Sequence, residues 1–314
     1  MRLVFCGTPR FAVPTLKALL DAGHAVALVV TQPDRPVGRK QQVEPTPVKQ
    51  VALAAGLEVT QPEKIRNNAD FRARLETIGP DAIVVVAYGR IIPPWMLGLP
   101  KLGCINLHGS LLPEYRGAAP IQWAVAMGET VTGNTTMLLE EGLDTGPILL
   151  QEEIGVGPEQ TAADLFEVLA ERGAPLVVKT LSGLADGSVR PRVQDPARAT
   201  LAPLLQRDDG RMNFAAHTAT ELKNRWRGFQ PWPGAFTMLD GKKLIVHRME
   251  VVEATHAPGS ALSGEVYIDQ HRLFVSCAAD TWLELLEVQL EGKKRMPAAE
   301  FLRGTQLASG TKLG

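Results

Sequence analysis

The sequence predicts a two-domain protein in which a doubly wound α/β sheet precedes a small β-barrel. Three observations indicate this. Apolar strands alternate with helical segments through residues 1–185. Short strands separated by Gly, Pro or Asp turns fill the second half. Between them, residues 190–206 carry three prolines, mixed charge and no periodicity, which is typical of a linker. The predicted domains are therefore 1–189 and 207–314.

The elements of the first domain follow one another in a regular order. The segment 2–6 is a strand, and 11–23 is a helix that ends at a glycine. The strand at 25–31 lacks polar alternation, as expected where both faces of a parallel sheet are covered. The other predicted elements are strands at 57–60, 81–88, 104–108 and 134–140, and helices at 47–56, 70–79, about 120–127 and within 161–185.

The second domain is predicted from its many short strands. One helix, from about His217 to Trp226, precedes them. The strands are predicted in the stretches AFTML, KLIVHRMEVV, GEVYI, RLFVSCA and WLELLEVQL.

Composition and charge narrow the class of protein. No apolar run is long enough to cross a bilayer. Cys6, Cys104 and Cys277 lie far apart among apolar neighbours, which predicts buried thiols rather than disulfides and indicates a reducing cytoplasm. A net charge of −1 provides no global attraction for nucleic acid, so only local basic clusters could bind a polyanion. The first turn, GTPRF, is not G-x-G-x-x-G, so no nicotinamide or flavin cofactor is expected.

Two polar side chains end the apolar strand at 104–108. Asn106 and His108 are separated by one residue, so in a strand they point to the same face. Ligands of such sheets bind outside the carboxyl ends of the strands. Two further loops, 87–94 and 139–148, leave neighbouring strands, and the second carries Asp144 between glycines. Because parallel strands end at one edge, we expect the three elements to meet there.

These residue types suit acyl transfer. The amide of Asn106 can donate to a developing oxyanion, and a nearby Asp144 would favour a charged His108 and could accept a proton. Ser110 is not flanked as G-x-S-x-G, so a substrate is expected to supply the nucleophile. A structural histidine at the strand end is the open alternative. The other histidines show no ligand spacing, so no metal site is predicted.

The stretch INLHGSLLPEYRGAAPIQWA, followed by EEGLDTGPIL, resembles the folate-dependent formyltransferases. The segments FCGTPRFAVPTLKAL, VVTQPDRPVGRK, VVVAYGRIIP, GFQPWPGAFT and LLEVQLEGKKRMPAAEFLRG are similar to the methionyl-tRNA formyltransferase family. The resemblance implies a Rossmann-like sheet and an OB-like barrel. It also implies transfer of a formyl group from 10-formyltetrahydrofolate to the amino group of methionyl-initiator-tRNA. No metal is implied, and a monomer is expected.

The resemblance implies roles for matched residues. Asn106 and His108 would stabilise the oxyanion, while Asp144 would hold His108 charged and assist proton removal from the amine. The implied folate-binding residues are Ser110, Leu111, Leu112, Pro113, Arg90, Ile91, Ile92, Glu140, Glu141, Gly142 and Leu143. The predicted tRNA-binding residues are Arg35, Arg39, Lys40, Lys242, Lys243, Lys293 and Lys294.

The loop at 33–47, expected to clamp the acceptor stem, departs from the family pattern. Gln41 and Gln42 stand where a basic pair is familiar, and Lys40 replaces a glycine. Four other classes of protein fit the sequence less well. Glycinamide ribonucleotide formyltransferases lack a second domain, and sugar-nucleotide formyltransferases usually lack the TQPDRPVGR loop. Formyltetrahydrofolate hydrolase normally carries a different accessory domain, and a noncatalytic RNA-binding module would not need Asn106, His108 and Asp144 together.

Overall fold

The chain folds into two units, and each is assembled from more than one stretch of sequence. The structure, a computed structural model, describes residues 1–37 and 42–314, without the side chains of residues 37 and 42. Unit 1 consists of Met1–Pro120, Val131–Gly155 and Asp164–Pro203, and unit 2 of Ile121–Thr130, Val156–Ala163 and Leu204–Gly314.

The apolar strands of the first half assemble into one seven-stranded sheet. The strands of unit 1 are β1 (Arg2–Gly7), β2 (Ala25–Val30), β3 (Arg35–Val37), β4 (Gln42–Glu44), β5 (Val59–Thr60), β6 (Ala82–Val86), β7 (Cys104–His108), β8 (Val131–Leu138) and β9 (Ile148–Gly155). The sheet order is β5-β2-β1-β6-β7-β8-β9, and β3 pairs with β4 in a separate hairpin. Neighbouring strands from β5 to β7 are parallel, which confirms the mostly parallel Rossmann-like sheet.

The last two strands of this sheet reverse direction. Residues 109–130 return to the sheet at the edge where β7 ends, so β8 runs antiparallel to β7, with His108 opposite Thr135 and Ile105 opposite Leu138. Strand β9 pairs antiparallel with β8. The loop 139–147 between them therefore leaves the sheet at the end where β7 begins, opposite the end that carries His108. Our expectation that this loop emerges at the carboxyl edge with the others was wrong. Strand β9 was not predicted, because it is an edge strand with a half-exposed, polar carboxyl half.

Helices alternate with these strands at most of the positions that the apolar pattern predicted. They are α1 (Val13–Asp21), α2 (Pro47–Ala54), α3 (Ala69–Ile78), α4 (Pro94–Leu97), α5 (Pro120–Ala126) and α6 (Ala162–Asp186), of which α5 belongs to unit 2 from Ile121 onward. The helix α2 begins at Thr46, whose hydroxyl accepts from the amide of Lys49. Strand β6 is buried along its whole length, and Ile83 packs in one cluster with Leu28 of β2 and Leu75 of α3. Short α4 was not predicted.

Helix α6 approaches the strand that carries Asn106 and His108. A Cβ placed on Gly173 would lie 2.6 Å from Cδ2 of Leu107 and 3.2 Å from Nδ2 of Asn134. That amide in turn donates to the carbonyl of Leu169, one turn earlier in the helix. The close approach requires glycine, and it fixes the buried face of β7, so that the alternate residues point to the other face.

Unit 2 contains an antiparallel sheet, which confirms the separate C-terminal β domain, together with α5 from Ile121 onward. Its elements after Leu204 are α7 (Ala219–Gly228), β10 (Phe236–Leu239), β11 (Lys242–Val251), β12 (Val266–Asp269), β13 (Arg272–Ser276), β14 (Trp282–Leu290), β15 (Met296–Pro297) and α8 (Ala298–Gly304). The sheet order is β10-β11-β14-β13-β12, with β15 beside β14. Its core includes Leu222 of α7, Leu244, Leu285 and Phe301 of α8.

Candidate active site

His108 lies at the carboxyl end of β7 with its two ring nitrogens in different surroundings. Its side chain is only 6% exposed. Nε2 lies 2.9 Å from the carbonyl oxygen of Tyr115, and because a carbonyl can only accept, Nε2 carries a hydrogen. Nδ1 lies 3.8 Å from Oδ2 of Asp144. Nδ1 is therefore the nitrogen that remains for an exchange of protons or for a substrate.

Asn106 lies two residues before His108 and shares its face of the strand. It is half-buried, whereas the other residues of β7 are buried. Among the described residues, its amide has no side-chain hydrogen-bond partner. A half-exposed amide at this position can donate its N–H groups to a ligand.

Asp144 is brought to His108 by a loop that folds back over the sheet. The residue has a φ of 51°, in the left-handed region, and its side chain is 15% exposed. Oδ2 accepts a hydrogen bond of 2.9 Å from the amide of Gly117. The turn after β7 therefore holds both partners, since Tyr115 binds the imidazole and Gly117 the carboxylate.

The turn at 109–117 is held by its own hydrogen bonds. The hydroxyl of Ser110 is fully buried and donates to the carbonyl of Glu114 at 2.6 Å. The amide of Tyr115, which has a φ of 59°, donates to Oγ1 of Thr200 at 2.8 Å. Of the predicted folate-binding residues in this segment, Leu111 is half-buried, whereas Ser110, Leu112 and Pro113 are buried.

Residues missed in the sequence support the same segment. Thr135 of β8 accepts from the amide of Leu112 at 3.1 Å and donates to the carbonyl of Ser110 at 2.6 Å. Gln151 of β9 donates to the carbonyl of Leu112 at 2.9 Å. The available signal was the polar residue Thr135 within the apolar strand β8, where it is fully buried.

The segment 88–92 follows β6 and lies at the same edge as His108, because β6 and β7 are parallel. Arg90 donates through Nε to Oε1 of Gln32 at 3.0 Å and through Nη1 to the carbonyl of Glu63. Its guanidinium is therefore engaged within the protein. Ile91 is 90% exposed, whereas Ile92 is buried.

The segment 140–143 lies within the loop that carries Asp144. Glu140, Glu141, Gly142 and Leu143 are all exposed. Oε1 of Glu140 accepts from the hydroxyl of Thr145 at 2.8 Å, which ties the two ends of the loop tip together. Of the predicted folate-binding residues, Ile91 and Leu143 present the largest exposed apolar surface.

The predicted basic residues fall into two groups. Arg35 is exposed on β3, and Arg39, Lys40 and Gln41 lie outside the described residues. Lys242 and Lys243 begin β11, while Lys293 and Lys294 follow β14. Strands β11 and β14 pair with Leu244 opposite Leu290, so the four lysines lie at one end of the unit 2 sheet. The amide of Glu291 donates to the carbonyl of Lys243 at 2.8 Å, which joins the two turns.

Other chemistries find little support in the described part of the chain. The three thiols are buried, as predicted, and burial raises the pKa of Cys104 and of Cys277 to about 12. Thiolate nucleophiles are therefore disfavoured. Residues 1–37 and 42–314 contain no cluster of three or more His, Cys, Asp or Glu side chains that could hold a metal ion. None of the helices there is both long enough and apolar enough to span a membrane.

Two family models account for most of the chain. The model described as formyl transferase matches residues 1–181, and the one described as formyl transferase, C-terminal domain, matches residues 204–306. A methionyl-tRNA formyltransferase from Acidobacterium capsulatum is 66% identical over 314 residues, covering 100% of both chains. The chain belongs to the methionyl-tRNA formyltransferase family. Family proteins from Koribacter versatilis and Solibacter usitatus are 56% and 51% identical, each covering 100% of this chain and 99% of its own.

Solved structures share the fold at lower identity. The sugar 3N-formyl transferase WlaRD, in the presence of dTDP and 5-N-formyl-THF, aligns over 94% of this chain and 99% of its own, with a TM-score of 0.65 and 17% identity. An N-formyltransferase from Helicobacter canadensis, in complex with folinic acid and dTDP-3-aminofucose, covers 90% of this chain and 98% of its own, with a TM-score of 0.64 and 17% identity. At this identity the likeness shows the fold alone.

Proposed function

We propose that this protein transfers a formyl group from 10-formyltetrahydrofolate to the free amino group of methionyl-initiator-tRNA. The observation that carries the proposal is the contact between His108 and Asp144, beside Asn106, in a chain that matches methionyl-tRNA formyltransferases along its whole length. A structural histidine would not need a carboxylate facing its second nitrogen. The contact therefore favours the catalytic alternative.

The reaction begins when the lone pair of the methionyl amine attacks the formyl carbon. A C–N bond forms, and the π electrons of the carbonyl move to its oxygen, which becomes an oxyanion. The amide of Asn106 and the protonated Nδ1 of His108 donate to that oxygen. Oδ2 of Asp144 lies 3.8 Å from the same nitrogen and would attract positive charge on the imidazole during the reaction.

The attacking amine must then lose a proton. Asp144 accepts it, directly or through water, and the intermediate collapses with cleavage of the bond between the formyl carbon and N10 of the folate. The C=O bond re-forms, and N10 takes the proton that Asp144 had accepted, directly or through water, which regenerates the carboxylate and gives tetrahydrofolate and formylmethionyl-tRNA. No step needs a metal ion or a covalent enzyme intermediate.

The folate would bind along the strip after β7 and against the two exposed loops. Ser110, Leu111, Leu112 and Pro113 shape one wall, chiefly through backbone, since the Ser110 hydroxyl is used within the turn. Arg90, Ile91 and Ile92 supply a second wall, and Glu140, Glu141, Gly142 and Leu143 a third. The exposed side chains of Ile91 and Leu143 suit contact with a flat pterin ring.

The tRNA would bind through phosphate contacts. Lys242, Lys243, Lys293 and Lys294 concentrate positive charge at one end of unit 2, and such contacts position a nucleic acid without reading its sequence. Arg35, Arg39 and Lys40 of the loop 33–47 would contact the acceptor end. We expect the protein to work as a cytoplasmic monomer in translation initiation.

Acceptor competition tests the proposal. The full-length protein is supplied with 10-formyltetrahydrofolate and either methionyl-initiator-tRNA or an amino-sugar nucleotide, and the formylated amine is identified. Formyl transfer to the tRNA is expected, with a kcat/KM at least about 100-fold above that for the sugar. Preferential formylation of the sugar nucleotide would overturn the proposal, and the fold would then serve the chemistry of its structural neighbours.

A further inference from the structure

Gln194 connects the segment after α6 to the loop that carries Asp144. Its side-chain Nε2 donates to the carbonyl of Asp144 at 2.8 Å and to that of Gly146 at 2.7 Å. Gln194 is 5% exposed. One amide group thus uses both of its hydrogens on two carbonyls of the same loop, which fixes the direction of the backbone on both sides of Thr145.

Arg116 fixes the orientation of that amide. Its Nε and Nη2 lie 3.0 Å and 2.7 Å from Oε1 of Gln194. A guanidinium can only donate, so the amide oxygen must face Arg116 and the NH2 group must face the two carbonyls. The alternative flip of the Gln194 amide would leave donors facing donors.

The neighbour of Arg116 completes the arrangement. The amide of Gly117 holds Oδ2 of Asp144 at 2.9 Å. Two consecutive residues therefore hold Asp144. Gly117 binds its side-chain carboxylate, and Arg116 acts on its backbone carbonyl by orienting Gln194. The backbone of Asp144 needs such support, because its φ of 51° costs free energy in a residue with a side chain.

We propose that Gln194 is a positioning residue for formyl transfer: together with Arg116, it holds the Asp144 loop so that the carboxylate faces Nδ1 of His108. The inference rests on the proposed function. It assigns a role to a segment whose prolines and lack of periodicity predict only a linker. Gln194 touches neither substrate nor reacting atoms, and it acts only through Asp144.

The main test is Gln194→Leu, which keeps the size of the side chain and removes both donors. Single-turnover rates, measured with enzyme in excess over methionyl-tRNA, keep slow variants measurable. The rate is expected to fall by about 10- to 100-fold, because displacement of a reacting group by about 1 Å can cost that much. The Kd of the folate should change by less than about threefold, since the loss concerns the transition state.

A double-mutant cycle separates positioning from general loss of structure. In an Asp144→Asn background, Gln194→Leu should lower the rate by less than about threefold, because the group it positions has already been disabled. As a control, Asn68→Ala removes the N-cap of α3 in the same unit and should lower stability without this pattern. Gln194→Met serves as a second variant if Gln194→Leu does not fold.

Two results would overturn the inference. One is a folded Gln194 variant whose rate stays within about threefold of wild type. The other is a rate that falls by the same factor, about 10- to 100-fold, when Gln194→Leu is made in the Asp144→Asn background, because Gln194 would then act independently of Asp144. If the wild-type protein formylates a different amine, the proposed function is overturned, and the cycle is then measured with that amine.

Discussion

The imidazole of His108 contacts Asp144 on one side and the carbonyl of Tyr115 on the other. Nδ1 lies 3.8 Å from the carboxylate, and Nε2 lies 2.9 Å from the carbonyl oxygen. The hydrogen bond to Tyr115 fixes the ring and leaves Nδ1 for the reaction. Both partners come from loops, so the site depends on how these two loops are held.

Replacement of His108 should affect turnover far more than binding. His108→Ala removes an oxyanion donor, so the formylation rate should fall about 100-fold or more while the folate Kd changes little. Single-turnover formylation and a folate-binding titration check this. His256→Ala is the matched control, since that histidine is 73% exposed in unit 2 and should leave both quantities unchanged. Near-normal turnover of His108→Ala would exclude the assigned role.

Gly117 should not tolerate a side chain. Its φ of +127° is unfavourable for other residues, and a Cβ there would lie 2.6 Å from the carbonyl oxygen of Ala202. Gly117→Ala should lower the free energy of unfolding by about 1–3 kcal/mol and also lower the formylation rate, because the Asp144 carboxylate loses its donor. Urea unfolding measures the first effect and single-turnover assays the second.

Gly259→Ala is the control for the cost of placing a side chain at a positive φ when no atom clashes with it. Gly259 has a φ of +115°, but its Cβ would meet no atom within 4 Å. It should therefore cost less than Gly117→Ala and leave formylation intact. Equal losses of stability in the two variants would show that the contact with Ala202 contributes nothing.

Asp34, which precedes the hairpin of β3 and β4, should contribute less to the free energy of unfolding at acid pH. Hydrogen bonds from Lys49 and then Gln61 lower the pKa of Asp34 below its usual value. A lowered folded-state pKa stabilises the protein above the unfolded value, near pH 4, and the contribution is lost as the pH falls through the folded value. Asp34→Asn should therefore be less stable than wild type at about pH 7, and the difference should shrink at about pH 3.

Urea unfolding at both pH values measures this difference. Asp240→Asn is the control: Asp240 is exposed in the β10–β11 turn with a φ of 49°, which asparagine also adopts readily. It should change the free energy of unfolding by less than about 0.5 kcal/mol at either pH. A deficit for Asp34→Asn that is equally large at both pH values would contradict the assignment.

The lysines that follow β14 should contribute to tRNA affinity through charge alone. The double variant Lys293→Gln with Lys294→Gln should weaken tRNA binding and reduce the slope of log K against log salt by about 1.5, as expected for two lost phosphate contacts. Folate binding should not change. The matched control removes two exposed charges from unit 1, Lys64 and Lys101. An unchanged salt slope in the first variant would remove this end of unit 2 from the tRNA-binding surface.

Much of the fold follows from local patterns. The apolar run of β6 predicts its strand, because a strand that is covered on both faces is a continuous apolar stretch of sequence. Strand β9 was not predicted, since its exposed carboxyl half is polar. The direction of β8 was not predicted either, because the apolar pattern of a strand is the same whichever way the strand runs.

The sequence by itself determined the family, the mostly parallel sheet, the separate C-terminal β domain, and the spacing that puts Asn106 and His108 on one face of a strand. These depend on spacing along one strand and on motifs read directly from the chain. Only the tertiary structure decided how Asp144 reaches His108: its loop leaves the opposite edge of the sheet and folds back, held by Gly117 and Gln194. Hydrogen bonds between residues far apart in the chain leave no periodic trace in the sequence. A buried glutamine that orients a loop therefore cannot be distinguished, before folding, from a polar residue in a linker.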